Sequence, residues 1–332
     1  MSYMPRPTPP NRRRLLAALA ASGLVWAAPG VQAQAGWPRQ PLKLVVGFPP
    51  GSSPDLMART IAEPLAQALG QPVVVDNRPG AGGNIAADAV ARATDGHTLG
   101  LMINGNLTIA KILNPATPYD PLTDLAPVSL LATAPMVLAA SPSVAGEGAA
   151  ILQAARSAGG RWNYGSPGVG TVAHIGMEML NGAAGLQAVH VPFQGNPQVI
   201  NAMAQGDVQL SLLPPGLAMA QVRGGKLKAV GLTSAARSTL APEVASLSEI
   251  GLPGFELEIW NAVAAPKGMP RAQIDRLASL LAEIVRRPEV REKIFQQGWQ
   301  VAGTSAQGLA NRIQRDTAKM QAVIERNQIR PR

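Results

Sequence analysis

The sequence predicts an α/β fold in which buried strands alternate with covering helices. Short apolar runs alternate with amphipathic stretches along most of the chain, a pattern typical of sheets with helices on their faces. The 332 residues are 46% hydrophobic, which is enough apolar material for two domains. Glycine and proline number 34 and 30, and they fall mainly between the periodic segments, where turns are expected.

Each predicted strand is a short apolar run, and each predicted helix has apolar residues three or four positions apart. The predicted strands are 42–46, 73–76, 97–103, 136–140, 162–165, 188–192, 208–213 and 228–233. The predicted helices between them are 56–69, 85–93, 151–158, 172–182 and 198–205. The alternation favours parallel sheets, and Pro64 is expected to shorten or kink the first helix.

The last 70 residues lack this alternation and carry helical stripes such as that of Ile274 and Leu281. They are expected to wrap a sheet formed by other segments and to supply no strand. Two extended segments, 126–132 and 256–264, are interpreted as chain crossings between two lobes. The predicted lobes are 34–128 with 262–332, and 129–261.

The N-terminus has the layout of an export signal. Arg12, Arg13 and Arg14 precede an uncharged stretch over 15–28 and a small-residue cleavage site ending at Ala33. That stretch is shorter than the about 20 residues that span a bilayer, so a retained anchor is the less favoured alternative. Residues 1–33 are therefore predicted to be a cleaved signal peptide that sends the protein to the periplasm. Both a twin-arginine and a general secretory route fit the leader.

Composition excludes several classes of site. The chain has no cysteine, which excludes disulfides, thiolate metal sites and cysteine nucleophiles. Without the leader, 25 basic residues face 20 acidic ones, a net charge of +5. These charges form no block and aromatic residues are few, so no binding to nucleic acid is expected. A weak positive field would favour an anionic solute.

The most informative loop, 48–55, has the sequence Phe-Pro-Pro-Gly-Ser-Ser-Pro-Asp and joins a predicted strand to a predicted helix. Its backbone N–H groups would lie at the positive end of the helix dipole, where an anion binds well. Because the loop has no lysine or arginine, capture by amides and hydroxyls is expected. An ordinary strand-to-helix turn is the alternative. Asp55 would cap a helix starting at Leu56, contact a ligand amine, or do both.

A second loop of the same kind follows the strand at 162–165. Ser166, Gly168, Gly170 and Thr171 would form another uncharged anion site that faces the first across a cleft. The glycines nominally match a dinucleotide fingerprint, but no acidic residue follows the next strand, which disfavours a nucleotide. The glycine-rich loop at 76–83 lacks the lysine of a phosphate-binding loop and is interpreted as a structural turn.

The histidines give little support to metal or catalytic chemistry. His174 and Glu178 are four apart, but a third metal ligand is not evident, so no metal and no cofactor are predicted. His174 is expected to be either a hydrogen-bond donor to a ligand or a structural helix residue. Ser166 does not lie in a nucleophile elbow, because Tyr164 stands where that motif needs glycine.

The order of the loop motifs is more specific than any one of them. The motifs are Phe48-Pro-Pro-Gly51 with Asp55 and Arg59, Val74-Val-Asp-Asn-Arg-Pro-Gly-Ala-Gly-Gly83, Asp95-Gly-His-Thr98, Tyr119-Asp-Pro121, Pro127-Val-Ser129, Tyr164-Gly-Ser166 with Gly168, Gly170, Thr171 and His174, Val191-Pro-Phe193 with Gly195, Gly224-Gly-Lys226, Arg237-Ser238, Glu249-x-Gly-Leu-Pro-Gly254, Trp260 and Ala265-Pro266. From about residue 37 to the C-terminus, the chain resembles the Bug family of extracytoplasmic solute receptors, the binding subunits of tripartite tricarboxylate transporters.

The resemblance implies a type II periplasmic-binding-protein fold with two lobes, a hinge of two crossing segments, and a cleft that closes on a small carboxylate. In that family, amides, hydroxyls and waters hold the carboxylate, which implies binding without catalysis or cofactor. The candidate ligand contacts carried over are Phe48, Pro50, Gly51, Ser52, Ser53, Asp55, Asn104, Ser166, Gly168, Gly170, Thr171, His174, Phe193 and Gly195. Phe193 and Gln194 replace the usual Tyr-Lys, which favours a monocarboxylate or a small, partly apolar ligand over a tricarboxylate.

The resemblance also implies partners. The protein is expected to be a monomer whose closed form is recognised by membrane transporter subunits. A sensor that docks on a membrane kinase is an alternative partner assignment. An exported hydrolase that uses Ser166 or Asp55 with His174 is the alternative from another functional class.

Overall fold

The computed structural model describes residues 1, 3–4 and 36–330. The chain divides into an N-terminal unit, Met1–Trp37, and one compact unit, Pro38–Arg332, which holds both sheets. The predicted signal peptide, residues 1–33, lies outside the described residues except for residues 1, 3 and 4. In the described part of the chain, no helix is both long enough and apolar enough to cross a bilayer.

Eleven described strands form two mixed sheets. They are β1 Leu42–Val46, β2 Val73–Asn77, β3 Thr98–Ile103, β4 Leu125–Pro135, β5 Val137–Ala140, β6 Asn163–Ser166, β7 Val189–Pro192, β8 Leu210–Leu213, β9 Lys228–Leu232, β10 Glu258–Pro266 and β11 Gln300–Val301. The strand order is β11-β4-β10-β3-β1-β2 in the first sheet and β7-β6-β8-β5-β9 in the second. All eight predicted strands are confirmed, with bounds shifted by at most two residues.

Ten described α-helices connect or cover these strands. They are α1 Ser53–Leu69, α2 Asn84–Ala91, α3 Ala110–Leu113, α4 Ala149–Ala158, α5 Val172–Ala184, α6 Asn196–Gln205, α7 Pro215–Arg223, α8 Arg271–Arg286, α9 Pro288–Gln296 and α10 Ala306–Arg326. Short 3-10 helices span Ala81–Gly83 and Gly159–Arg161, and a π-helix spans Gly105–Ile109. The α/β fold class is therefore confirmed, and α7 is a helix that the sequence pattern did not predict.

The expectation of parallel sheets was only partly correct. Strands β1, β2 and β3 are parallel, and β6 is parallel to β7 and β8. Strand β10 runs antiparallel to β3 and β4, and β5 runs antiparallel to β8 and β9. Parallel neighbours need a crossover connection, and α1 between β1 and β2 and α5 between β6 and β7 provide it.

The expectation that the last 70 residues supply no strand was wrong, because β11 pairs with β4. A two-residue strand is too short to show the alternation that would predict it.

Helix α1 begins at Ser53 and continues past Pro64 to Leu69, so Pro64 does not shorten it. The alternative expectation, a kink at Pro64, stays a prediction.

The chain passes between the sheets at two places that lie side by side. Met136 separates β4 from β5, and Leu257 precedes β10. The Thr233 hydroxyl joins these places, since it accepts a 2.8 Å bond from the Met136 N–H and donates a 2.6 Å bond to the Leu257 carbonyl. Both β4 and β10 lie in the first sheet along their full length, and the predicted lobe boundaries fall within them. The division into lobes remains a prediction.

We predict that Thr233→Val destabilises the protein by about 1–3 kcal/mol, because it leaves the buried Met136 N–H and Leu257 carbonyl without this partner. Urea unfolding monitored by circular dichroism measures the change. Thr123→Val is the control, because Thr123 is exposed and bonds only locally to Asp124, and its effect should stay within about 0.5 kcal/mol. Equal stability of the two variants would contradict a bridging role for Thr233.

Candidate functional site

A small cavity lies where loops and strand ends of both sheets meet. Strands of the first sheet supply part of its wall, and loops that follow β6 and β8 supply another part. Its lining consists of Phe48, Ser53, Pro54, Ile103, Met136, Pro167, Thr171, Val172, Ala173, Asn196, Pro214, Ile259, Asn261 and Trp299. A concave, mostly apolar enclosure with a few polar groups is the usual form of a small-molecule site.

The start of α1 forms one side of this cavity. Ser52 is the N-cap residue, but its side chain makes no capping bond, so the first-turn amides keep no acceptor within the helix. Pro54 suits this position, because its missing N–H costs nothing in the first turn. Ser53 lines the cavity, is 4% exposed, and has a hydroxyl without a hydrogen-bond partner among the described residues.

The start of α5 forms another part of the wall. Thr171 caps this helix, because its hydroxyl accepts a 3.4 Å bond from the His174 N–H and donates a 2.7 Å bond to the Gly168 carbonyl. The N–H groups of Val172 and Ala173 come next in the first turn and have no acceptor within the helix. Both residues line the cavity. Two helix N-termini therefore contribute to one enclosure.

No charged side chain is among the residues that line the cavity. Its electrostatic character comes from the partial positive charge at the starts of α1 and α5. Free N–H groups and a helix dipole together attract an anion without forming an ion pair. The arrangement can therefore hold an anionic group by hydrogen bonds while the remaining wall contacts an apolar part of the same molecule.

The loops of the two sheets approach one another closely around the cavity. A side chain on Gly168 would place its Cβ 2.8 Å from the Cα atom of Gly82. A Cβ on Gly195 would lie 2.7 Å from the ring of Pro49. These separations are shorter than real Cβ contacts, so glycine is required for the loops to meet in this form. The loop at 76–83, which the sequence favoured as a structural turn, thus forms part of the contact between the loops.

Asp55 is held by three neighbours. Its carboxylate accepts bonds from the Gly51 N–H, from Asn77 and from the Arg59 guanidinium. Burial opposes ionisation of Asp55, but the bonds from Arg59, Gly51 and Asn77 and the charge of Arg59 outweigh it, so the pKa lies below its ordinary value. Because α1 begins at Ser53, Asp55 lies in the first turn and does not cap a helix starting at Leu56. Asp55 therefore holds the loop 48–55 in place without lining the cavity.

Ser166 is also engaged within the protein. Its hydroxyl lies 2.7 Å from His190 Nε2 and 3.1 Å from the Gly168 carbonyl. The His190 ring stacks between Tyr164 and His174, with ring centroids 4.9 and 4.2 Å away. His174 accepts a bond from the Gly170 N–H through Nδ1. This stack supports the loop that leads into α5.

The structure separates the predicted contacts into two groups. Phe48, Ser53 and Thr171 line the cavity. The other predicted contacts do not belong to its lining: they are Pro50, Gly51, Ser52, Asp55, Asn104, Ser166, Gly168, Gly170, His174, Phe193 and Gly195. Several of these shape the loops instead, since Gly195 precedes α6 and the Phe193 N–H bonds to the Ser166 carbonyl. Their contact with a ligand remains a prediction.

Sequence reasoning missed several lining residues. Asn261 is the most informative, because it is fully buried and neither side-chain amide atom has a partner among the described residues. The sequence did carry a signal for Asn261, because it is the lone polar residue in the apolar run Ile259–Val263. A polar residue in a buried strand normally has a hydrogen-bond partner, so its position there indicates a role. Trp299 and Asn196 gave no such signal, because α9 and α6 bring them to the cavity from distant parts of the sequence.

Wider grooves elsewhere are weaker candidates. One of them is lined by Arg237, Arg312 and other polar residues. Arg237 pairs with Glu249, and Arg312 pairs with Glu258 and Asp316, so these charges are satisfied within the protein. Among residues 1, 3–4 and 36–330, no group of three or more potential metal-ligating side chains is assembled. The enclosed cavity therefore remains the best candidate site.

Comparison with known proteins places the chain in a family. The family profile described as "Tripartite tricarboxylate transporter family receptor" matches residues 57–329. The chain belongs to this receptor family. Protein BugT of Bordetella pertussis is 34% identical over 294 residues, which cover 87% of this chain and 89% of BugT. The resemblance to the Bug receptors is thereby confirmed.

Two solved structures of proteins from Rhodopseudomonas palustris share the fold. Rpa4515 with adipate has a TM-score of 0.86 at 28% identity and covers 89% of this chain and 100% of its own. MatC with bound malate has a TM-score of 0.83 at 29% identity and covers 87% of this chain and 100% of its own. The predicted periplasmic-binding-protein fold is therefore confirmed for this receptor.

We predict that Asp55→Asn lowers stability near pH 7 and that its difference from the wild type shrinks as the pH falls below about 4. The pKa of Asp55 is depressed in the folded state, so its stabilisation is complete above the unfolded value and is lost as the pH falls through the folded value. Urea midpoints measured from pH 7 to pH 2 give the comparison. Asp275→Asn, in an exposed pair with Arg271, is the control. A pH-independent difference for Asp55→Asn would count against this assignment.

Proposed function

We propose that this receptor captures one small carboxylate in the cavity between its two sheets and presents it to the membrane subunits of a tripartite transporter. The observation that carries the proposal is the pair of helix N-termini, with the unpartnered Ser53 hydroxyl, in one enclosure that lacks a charged side chain. A carboxylate accepts several hydrogen bonds at once and supplies the missing acceptor. Two relatives with the same fold carry adipate and malate, which are both carboxylates.

The absence of a cation from the cavity lining suits a transport receptor. An arginine paired with the carboxylate through two bonds would add a strong, charge-assisted interaction. Amides and a hydroxyl give weaker individual bonds, which favours release of the cargo. The apolar remainder of the wall adds affinity by burying the body of the ligand.

Binding is proposed to stabilise a closed form. The ligand would link the start of α1 to the start of α5, which belong to different sides of the cavity. Ligands shift a conformational equilibrium only through different affinities for the two forms. An acid held from both sides has this property, because an open form would keep contacts with one side only. The glycine contacts at Gly82, Gly168 and Gly195 make the close approach possible.

The same geometry supports binding without catalysis. The Ser166 hydroxyl lies within hydrogen-bond distance of His190 Nε2, and Ser166 is absent from the cavity lining. Asp55 is saturated by its three neighbours and is likewise absent from the lining. The two nucleophile or base candidates of the hydrolase alternative are therefore occupied in structural roles. We further propose that the N-terminal leader exports the protein to the periplasm and that the protein acts there as a monomer.

Binding is tested by stripping the purified protein of bound small molecules in guanidinium, refolding it, and titrating it with carboxylates and matched uncharged amides by calorimetry. We expect several carboxylates to bind and the amides to fail. If no carboxylate binds the refolded protein at millimolar concentration, the proposed function is wrong. Copurification with membrane transporter subunits tests the partner separately.

We predict that Ser53→Ala weakens carboxylate binding by about 1–3 kcal/mol, because it removes a buried donor from the anion. The unfolding free energy without ligand should change by less than about 0.5 kcal/mol, because the hydroxyl has no partner to lose within the described residues. Ser157→Ala, at an exposed helix position, is the control and should change neither quantity. Unchanged affinity of Ser53→Ala would remove Ser53 from the site.

We predict that Gly195→Ala weakens carboxylate binding about tenfold, or about 1.4 kcal/mol, because the added methyl group would meet Pro49 in the closed form. Gly195 has an extended backbone with φ −179°, so alanine fits its conformation and the effect isolates the contact. With ligand present, X-ray scattering should give Gly195→Ala a larger radius of gyration than the wild type. Gly268→Ala, where a Cβ meets no atom within 4 Å, is the control. A fully compact, tightly binding Gly195→Ala would contradict closure through this contact.

A further inference from the structure

Asn261 is a buried amide whose hydrogen-bonding capacity is unused within the protein. It is 0% exposed, and neither its Oδ1 nor its Nδ2 atom has a partner among the described residues. A buried side-chain amide without partners is unfavourable, so native proteins keep such groups rarely and for a reason. Because Asn261 lines the cavity, a bound molecule is the partner available to it.

Strand β10 aims this side chain at the cavity. Asn261 pairs in register with Ile103 of β3 and Ala132 of β4, and the register with β4 shifts directly after it. Such irregularities re-aim side chains and are frequent beside binding sites. Ile259 also lines the cavity, whereas Trp260 between them packs in the core on the other face. Because successive side chains of a strand point to opposite faces, Asn261 lies on the same face as Ile259, which is the face towards the cavity.

The amide of Asn261 can donate and accept at the same time. Its Nδ2 offers two protons and its Oδ1 offers an acceptor, so both are satisfied by a group that also donates and accepts. A carboxamide does this with two parallel bonds, and a hydroxyl does it with one group. A carboxylate only accepts, so it would leave Oδ1 without a donor.

The surroundings of Asn261 also disfavour a second charge. Ile103, Met136, Ile259 and Trp299 line the same cavity, and none of the lining residues is a lysine, arginine or histidine. A second carboxylate would lose its hydration in an apolar wall without gaining a cation.

We propose that Asn261 is a specificity-determining residue that recognises an uncharged donor–acceptor group, a carboxamide or a hydroxyl, at the distal end of a small monocarboxylate with an apolar body. This proposal rests on the proposed carboxylate-binding function and deepens it. The carboxylate lies at the starts of α1 and α5, the body contacts the apolar wall, and the neutral polar end pairs with Asn261.

The test uses two series of acids that differ only at the distal group. One series is pentanoate, glutaric acid monoamide and glutarate, and the other is benzoate, 4-carbamoylbenzoate and terephthalate. Calorimetry on the ligand-stripped wild type should show that, in at least one series, the monoamide binds at least about tenfold more tightly than both other members. Asn261→Leu should bind the monoamide no more than about threefold more tightly than the acid without a distal polar group.

Asn181→Leu is the matched control, because Asn181 also has a buried Oδ1 atom without a partner but does not line the cavity. It should keep the wild-type preference for the monoamide. Circular dichroism and thermal unfolding establish that each variant is folded, and Asn261→Ser replaces Asn261→Leu if the latter does not fold. Asn261→Asp should lower affinity for every acid in both series, because it adds a negative charge to the cavity.

The outcomes separate this inference from the function on which it rests. If the acids bind but the dicarboxylate equals or exceeds the monoamide in both series, the neutral distal site is wrong and carboxylate binding stands. If Asn261→Leu keeps the full preference for the monoamide, another residue sets the specificity and the assignment to Asn261 is overturned. If no member of either series binds, both the proposed function and this inference fail.

Discussion

The unpaired N–H groups at the starts of α1 and α5 are the constraint on which this receptor depends. Neither helix can satisfy its first-turn donors internally, and the N-cap residue Ser52 makes no side-chain bond that would help. Enclosing such donors is costly unless an acceptor arrives with the ligand. In the function proposed above, the enclosure would couple a closed form to the presence of an acid, without a charged side chain among the described residues that line the cavity.

The rest of the scaffold holds these two helix starts in place. Asp55 holds the loop before α1 by accepting a bond from the Gly51 N–H. The stack of Tyr164, His190 and His174 supports the loop before α5. Thr233 ties the two places where the chain passes between the sheets. Asp55 and Ser166 have catalytic potential, but both are buried, are bonded to protein partners and do not line the cavity.

A receptor that binds through amides, hydroxyls and apolar contacts can change its cargo by changing its wall. The helix starts would hold a carboxylate in any member with this geometry, and the opposite wall would then decide which acid fits. In this chain that wall carries Asn261 and Trp299 among apolar neighbours. The relatives that carry adipate and malate share the fold at 28% and 29% identity, which leaves room for walls of different chemistry.

The sequence by itself determined the α/β class, eight of the eleven described strands, and the two loops with helix starts, because these depend on local periodicity and on glycine, proline and serine within a few residues. Loop composition predicted Thr171 as part of an anion site, and the family resemblance added Ser53 as a candidate ligand contact; both line the cavity. Tertiary structure alone decided the antiparallel placement of β5 and β10 and the short strand β11, because pairing joins segments far apart in the chain. The same reason applies to the cavity wall. Asn261, Trp299 and Asn196 meet there only after both sheets have formed, and burial without a partner is a property that no local pattern records.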